Sequence, residues 1–86
     1  MRLDIYLPQY NVAIECHGLQ HFMPIDFFGG EEQFKYTTTC DKIKHDLCIA
    51  NCVKIFYYSD EKIDNYELGR VYNDLDELLN VITHET

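Results

Sequence analysis

Positive charge is the scarcest property of this 86-residue chain, which carries seven Lys and Arg against fifteen Asp and Glu. The net charge of −8 excludes a general nucleic-acid coat protein, because non-specific binding to phosphates needs a cationic surface. It does not exclude an enzyme that gathers carboxylates around a metal ion. Long apolar runs are also missing, since none approaches the ~18 residues that a membrane span needs. We therefore expect no membrane partner.

Linkers and targeting signals are missing as well. No repeat, low-complexity tract or Gly/Ser linker divides the sequence, which predicts a single domain over residues 1–86. An apolar content of 47% and an aromatic content of 14% exclude disorder. The first residues do not resemble a signal peptide, so we expect a cytoplasmic, reduced chain. The four cysteines are then more consistent with thiols than with two disulfides.

The N-terminal part has the pattern of a β-hairpin. Apolar and polar residues alternate over 2–7 and over 12–17, and the turn residues 8–11 lie between them. The register that keeps every apolar side chain on one face sets Ile5 opposite Ile14. It also predicts that Asp4 lies opposite Glu15, with Cβ atoms roughly 4.5–5.5 Å apart.

The remaining sequence predicts an α/β (α+β) fold with at least three strands. After an irregular stretch at 17–30, helical spacing predicts a helix from Gly30 to about Asn51. A buried strand over 53–58, a polar loop over 59–72 and a last helix capped by Asn73 or Asp74 follow. The long helix carries one apolar stripe, made of Tyr36, Cys40, Ile43, Leu47 and Ala50.

The facing carboxylates of Asp4 and Glu15 have two interpretations. Like charges directly opposite each other destabilise a hairpin, and sequences that keep both usually place a cation between them or share a proton. Carboxylate oxygens suit Mg²⁺ or Mn²⁺, which prefer oxygen ligands. The alternative is a solvent-facing hairpin with two independent acids, each paired to a Lys or Arg.

Asp4 and Glu15 belong to a longer sequence pattern. The segments RLDIYLPQYNVAIECHGLQHF, PIDFFGGEEQF and CDKIKHDLC together resemble the very-short-patch-repair-like branch of the PD-(D/E)XK nuclease superfamily. That branch includes mismatch-repair nicking enzymes and phage-type homing endonucleases with an EDxHD motif. The resemblance implies a restriction-endonuclease-like core and a DNA endonuclease that hydrolyses phosphodiester bonds with Mg²⁺ or Mn²⁺.

The resemblance also implies roles for individual residues. Asp4, Glu15 and the backbone carbonyl of Cys16 match the metal-binding positions. The third position of the E-x-K signature is His17 instead of Lys.

The remaining matches concern proton transfer and charge. His21 matches a histidine that acts as general base or orients the attacking water. Asp41 matches the later Asp that orients this histidine, and Lys44 is a candidate for contacting phosphate or stabilising the transition state. His17 is a second candidate for neutralising the developing charge.

The family core normally begins with a helix and a strand before the strand that carries the first Asp. Here Met1 stands only three residues before Asp4, so these elements are expected to be missing. An unpaired sheet edge would follow, and such edges recruit other chains. We therefore expect a homo-oligomer. The alternative function is an inactive remnant of the fold that serves as an interaction or oligomerisation module.

Three further groups of residues have competing interpretations. His17 and His21 could join a cysteine in a structural zinc site, although buried unpaired thiols are the commoner outcome at Cys40 and Cys48. The face of the long helix that carries Asp41 and Lys44 could be solvated. A cluster of three aromatic residues could wedge between DNA bases, although packing in the core is the commoner role for such residues. The cluster comprises Phe22, Phe27 and Phe28.

Overall fold

The computed structural model describes residues 4–85, and this range forms a four-stranded mixed sheet and two helices. Arg2 and Leu3, at the predicted start of the first strand, lie outside the described residues. The elements in chain order are β1 (Ile5–Leu7), β2 (Val12–Cys16), α1 (Gly30–Ala50), β3 (Lys54–Tyr58), β4 (Val71–Tyr72) and α2 (Leu75–Glu85). Two short 3₁₀ helices, Leu19–His21 and Asp26–Phe28, lie in the stretch predicted to be irregular.

The strands follow chain order across the sheet, β1-β2-β3-β4. The first pair is antiparallel and has the predicted register, with Ile5 opposite Ile14 and Leu7 opposite Val12. β2 and β3 are parallel, and α1 supplies the long crossover that a parallel pair requires. The prediction of an α+β fold is confirmed at this level.

Both faces of β2 are covered, because the two helices lie on opposite sides of the sheet. Val12 and Ile14 belong to an apolar cluster with Leu78 and Ile82 of α2. On the other face, Glu15 contacts the side chain of Lys44 on α1. β2 is therefore buried almost throughout, and a charged residue lies inside the protein.

The predicted loop over 59–72 contains a short strand. β4 pairs in parallel with β3, and the backbone N–H of Ser59 donates to the carbonyl of Tyr72. Asp74 then caps α2, since its Oδ1 accepts hydrogen bonds from the backbone N–H groups of Asp76 and Glu77. The loop prediction was wrong for Val71 and Tyr72, and the capping prediction is confirmed for Asp74.

The apolar stripe of α1 does not face the core. Tyr36 is 65% exposed, and Ile43 and Leu47 are each 47% exposed. Asp41 and Cys48, on the neighbouring polar face, are buried. Of the two interpretations of this face, the solvated one is therefore wrong for Asp41 and Cys48. The sheet presents Glu15 and other polar groups to α1, and such groups need hydrogen-bonding partners when buried, so the polar face of the helix packs against them.

The loop aromatics are divided between core and surface. Phe22 packs edge-on against Tyr66, with ring centroids 5.0 Å apart. Phe27 is 89% exposed and Phe28 is half exposed, so the expected core packing was wrong for these two.

All four cysteines lie in the described part of the chain as free thiols. Cys48 is buried and Cys40 is half-buried, whereas Cys16 and Cys52 are exposed. Neither described helix is both long enough and apolar enough to cross a membrane.

Candidate functional site

Two hydrogen bonds join Asp4 to Glu15 and Cys16 beside the paired strands of the hairpin. The backbone N–H of Asp4 donates to Oε2 of Glu15 over 2.8 Å, and the N–H of Cys16 donates to Oδ2 of Asp4 over 2.9 Å. Asp4 is exposed, whereas Glu15 is only 1% exposed. The structure therefore brings the two predicted acids together, one at the surface and one in the interior.

Lys44 reaches from α1 to the buried member of this pair. Its Nζ lies 2.5 Å from Oε1 of Glu15, and its side chain is about one-fifth exposed. Burial opposes the charge of the ammonium group. The hydrogen bond and the negative charge of Glu15 outweigh this effect, so the pKa of Lys44 is raised above its ordinary value. The site therefore contains a lysine that is charged at neutral pH, although the third position of the signature is His17.

The oxygen atoms of this group fit a hard divalent ion. A carboxylate accepts about four hydrogen bonds or metal contacts, and each of these acids uses only part of that capacity on protein donors. The exposed carboxylate of Asp4 gives access from solvent. Asp4, Glu15 and the carbonyl of Cys16 therefore stay the predicted ligands for Mg²⁺ or Mn²⁺.

His21 and Asp41 form a hydrogen-bonded pair on the same side of the sheet. Nδ1 of His21 lies 2.8 Å from Oδ2 of Asp41. The carboxylate accepts, so the proton of a neutral His21 is fixed on Nδ1 and its Nε2 has a free lone pair. Asp41 is 7% exposed, whereas the side chain of His21 is 23% exposed. His21 lines two cavities of about 300 and 220 Å³, which give it room to meet a substrate.

His17 is buried next to this pair. It is 5% exposed, and its ring stacks on that of His21 with centroids 3.9 Å apart. Burial, and next the neighbouring charge of His21, lower the pKa of His17 from 6.5 to about 4. His17 is therefore neutral at pH 7 and does not supply positive charge to a phosphate. Of the two candidates for that role, Lys44 is the one that is charged.

The low pKa of His17 predicts a loss of stability in mild acid. Between pH 6.5 and about 4 the unfolded chain binds a proton at His17 that the folded chain excludes, so stability falls as pH falls. At the acid end of this pH range, the loss in free energy of unfolding caused by His17 reaches about 3 kcal/mol. Urea titrations over this range should show a steeper loss for the wild type than for His17→Phe. Parallel curves would contradict a buried neutral His17.

No pattern in the sequence indicates the aromatic residues that surround His17. Tyr66 meets its ring edge-on at 5.9 Å, and Tyr57 lies 5.1 Å from it between centroids. Burial raises the pKa of both phenols, so both are neutral. Tyr66 belongs to a polar loop with no periodicity, and only the fold brings it to His17. The hydroxyl of Tyr57 lies 2.8 Å from Nδ1 of His45. His45 therefore bonds to Tyr57 and is not part of the His21–Asp41 pair.

Comparison with protein-family models, curated proteins and solved structures finds no match for the chain. The geometry of the site therefore carries the functional argument.

Proposed function

We propose that this chain is a divalent-metal-dependent DNA endonuclease core of the PD-(D/E)XK type, in the very-short-patch-repair-like or phage homing branch. One observation carries the proposal: Lys44 on α1 reaches Glu15, which also accepts a hydrogen bond from the backbone N–H of Asp4. Two neighbouring acids and a lysine are the combination that the E-x-K signature describes. The lysine that the sequence lacks after Glu15 is thus supplied from a different element.

The neighbouring His21–Asp41 pair supports the same chemistry. Glu15 lies near the C-terminal end of β2, and Asp41 lies one helical turn before Lys44 on α1. His21, on the first 3₁₀ helix, is hydrogen-bonded to Asp41, so α1 brings the His21–Asp41 pair close to the Glu15–Lys44 ion pair. A proton acceptor beside a hard-ion site is what hydrolysis of a phosphodiester bond requires.

The residues would divide the reaction as follows. A bound Mg²⁺ or Mn²⁺ supplies a Lewis acid for the phosphate and lowers the pKa of water. Asp4 and Glu15 hold the ion. His21 accepts the proton of the attacking water at Nε2, while Asp41 keeps the ring in the required tautomer and orientation. The ammonium group of Lys44 offsets charge that develops on the phosphate oxygens.

Cleavage of a supercoiled plasmid tests this function. The chain with Mg²⁺ or Mn²⁺ should convert the plasmid to nicked or linear forms, and chelation of the ion should stop the reaction. An absence of cleavage with either ion, in protein that is folded by circular dichroism, would contradict the proposal.

The alternative is an interaction or oligomerisation module without catalysis, and the exposed sheet edge supports it. β1 lies at one edge among the described strands, with Ile5 41% and Tyr6 46% exposed. An edge of this kind pairs readily with a strand from another chain. A second copy of this chain offers the same edge, which makes a symmetric dimer the simplest partner.

Light scattering measures this association directly. We expect a mass of about twice the monomer's 10.2 kDa, reduced to the monomer value by Ile5→Lys, because a charge on an edge strand blocks pairing. The matched control is Ile49→Lys, a change at an exposed isoleucine near the end of α1. A monomer at high concentration, or equal effects of the two changes, would contradict pairing through β1.

A further inference from the structure

Three side chains of types that bind metals lie together beside Asp4, Glu15 and Lys44. One ligand atom from each of His17, His21 and Asp41 lies within 4.8 Å of the other two. The three residues come from separate parts of the chain: the position after β2, the first 3₁₀ helix and the middle of α1. Nitrogen donors distinguish this cluster from the oxygen donors of Asp4 and Glu15.

His17 is the unusual member of the cluster. The residue is only 5% exposed, yet neither of its ring nitrogens has a hydrogen-bond partner among the described residues. Its Nε2 lies 3.9 Å from Oδ2 of Asp41, which is too far for a hydrogen bond. Buried polar atoms without partners are rare in folded proteins and indicate a missing ligand or water.

We propose that His17, His21 and Asp41 bind a late first-row transition-metal ion, with Zn²⁺ as the expected occupant. Imidazole and carboxylate ligands suit Zn²⁺ and Co²⁺, whereas Mg²⁺ prefers a shell of oxygens. Three protein ligands leave a fourth position open to water or to a substrate. The ion would give Nε2 of His17 the partner that the protein itself does not provide.

The distances in the cluster bracket those of a tetrahedral site. Ligand atoms about 2.0–2.1 Å from zinc are roughly 3.3 Å apart. The present separations from Oδ2 of Asp41 are 2.8 Å to His21 and 3.9 Å to His17, one shorter and one longer than that value. The two rings are nearly parallel, at 8°, so the ring of His21 must turn for both nitrogens to face one ion. Its partial exposure and the adjoining cavities leave space for this turn.

The proposed site has a consequence for catalysis that rests on the proposed function. An ion held by His21 and Asp41 removes the proton acceptor and its orienting carboxylate from the reaction. Zn²⁺ is therefore expected to inhibit Mg²⁺-dependent cleavage. Binding itself is independent of cleavage, so the two proposals fail separately.

Titration of the metal-free chain with Co²⁺ tests the site without any activity. We expect the visible absorption of four-coordinate cobalt to saturate at one equivalent and to disappear when Zn²⁺ is added. His17→Phe and Asp41→Asn should each weaken Co²⁺ binding on the order of 100-fold or more, since loss of even a supporting group costs 10–100-fold. The control variants His45→Ala and Asp46→Asn should bind Co²⁺ like the wild type, and excess Mg²⁺ should not displace it.

A second measurement needs no variant. Zn²⁺ should shift the imidazole resonances of His17 and His21 in nuclear magnetic resonance spectra of the wild type and leave those of His45 and His84 unchanged. No cobalt absorption, displacement of cobalt by Mg²⁺, or shifts confined to His45 or His84 would overturn the proposed site.

Discussion

Asp4→Asn and Glu15→Gln are each expected to lower plasmid cleavage with Mn²⁺ by at least about 10²–10³-fold, because each weakens the hold on a Lewis acid that is worth several kcal/mol of transition-state stabilisation. Both changes remove a negative charge and keep the size of the side chain. Asn at position 4 still offers an oxygen to the N–H of Cys16, so the hairpin should remain folded. The measurement is the initial rate of nicking at saturating Mn²⁺.

The matched control is Asp46→Asn, an exposed acid on α1 that changes the net charge by the same amount. It should leave the cleavage rate unchanged. Mn²⁺ should also raise the melting temperature of the wild type and of Asp46→Asn, because an ion that binds only the folded state stabilises it by mass action. Asp4→Asn should lose most of this response. Cleavage that survives both site variants would show that the acids do not hold the ion.

The second large effect concerns the general base. His21→Ala should slow cleavage by roughly 10²–10⁴-fold, the usual contribution of a positioned acid–base group. His45→Ala removes another imidazole on the same side of the sheet, but that ring is hydrogen-bonded to Tyr57 and should contribute little to the rate. Single-turnover rates separate this chemical effect from DNA binding.

Equal losses from His21→Ala and His45→Ala would mean that neither ring is the base and that both changes disturb the fold. A loss confined to His21→Ala, with Asp41→Asn intermediate between wild type and His21→Ala, is the expected pattern. The intermediate value reflects an imidazole that is present but no longer fixed in one tautomer.

The sequence allowed accurate predictions where local pattern and packing agree. Alternation over the hairpin determined the register, because a shift of one residue would turn Ile14 away from Leu78 and Ile82. The beginning of α1 followed from Gly30 and the acids after it, and the cap of α2 from Asp74. The approach of Asp4 to Glu15 follows directly from this register.

Other features depend on long-range contacts that periodicity does not report. The pattern of α1 identified an apolar and a polar face but could not show which one meets the sheet. The polar groups on β2 decided that orientation, since Glu15 requires a cation such as Lys44. Strand β4 is only two residues long, too short for alternation to detect. The approach of Tyr66 to His17 likewise depends on the path of a loop without periodicity.

The ion pair between Glu15 and Lys44 makes the proposed catalytic group part of the scaffold. Removing either partner alone leaves a charge inside the protein without compensation, so such a variant is expected to lose folding stability as well as the proposed activity. Replacing both with apolar residues of similar volume removes the burial cost of the charges and can leave the fold intact. Single substitutions at this pair are therefore expected to reduce folding stability and the proposed cleavage together, whereas a joint replacement is expected to yield a stable chain that does not cleave DNA.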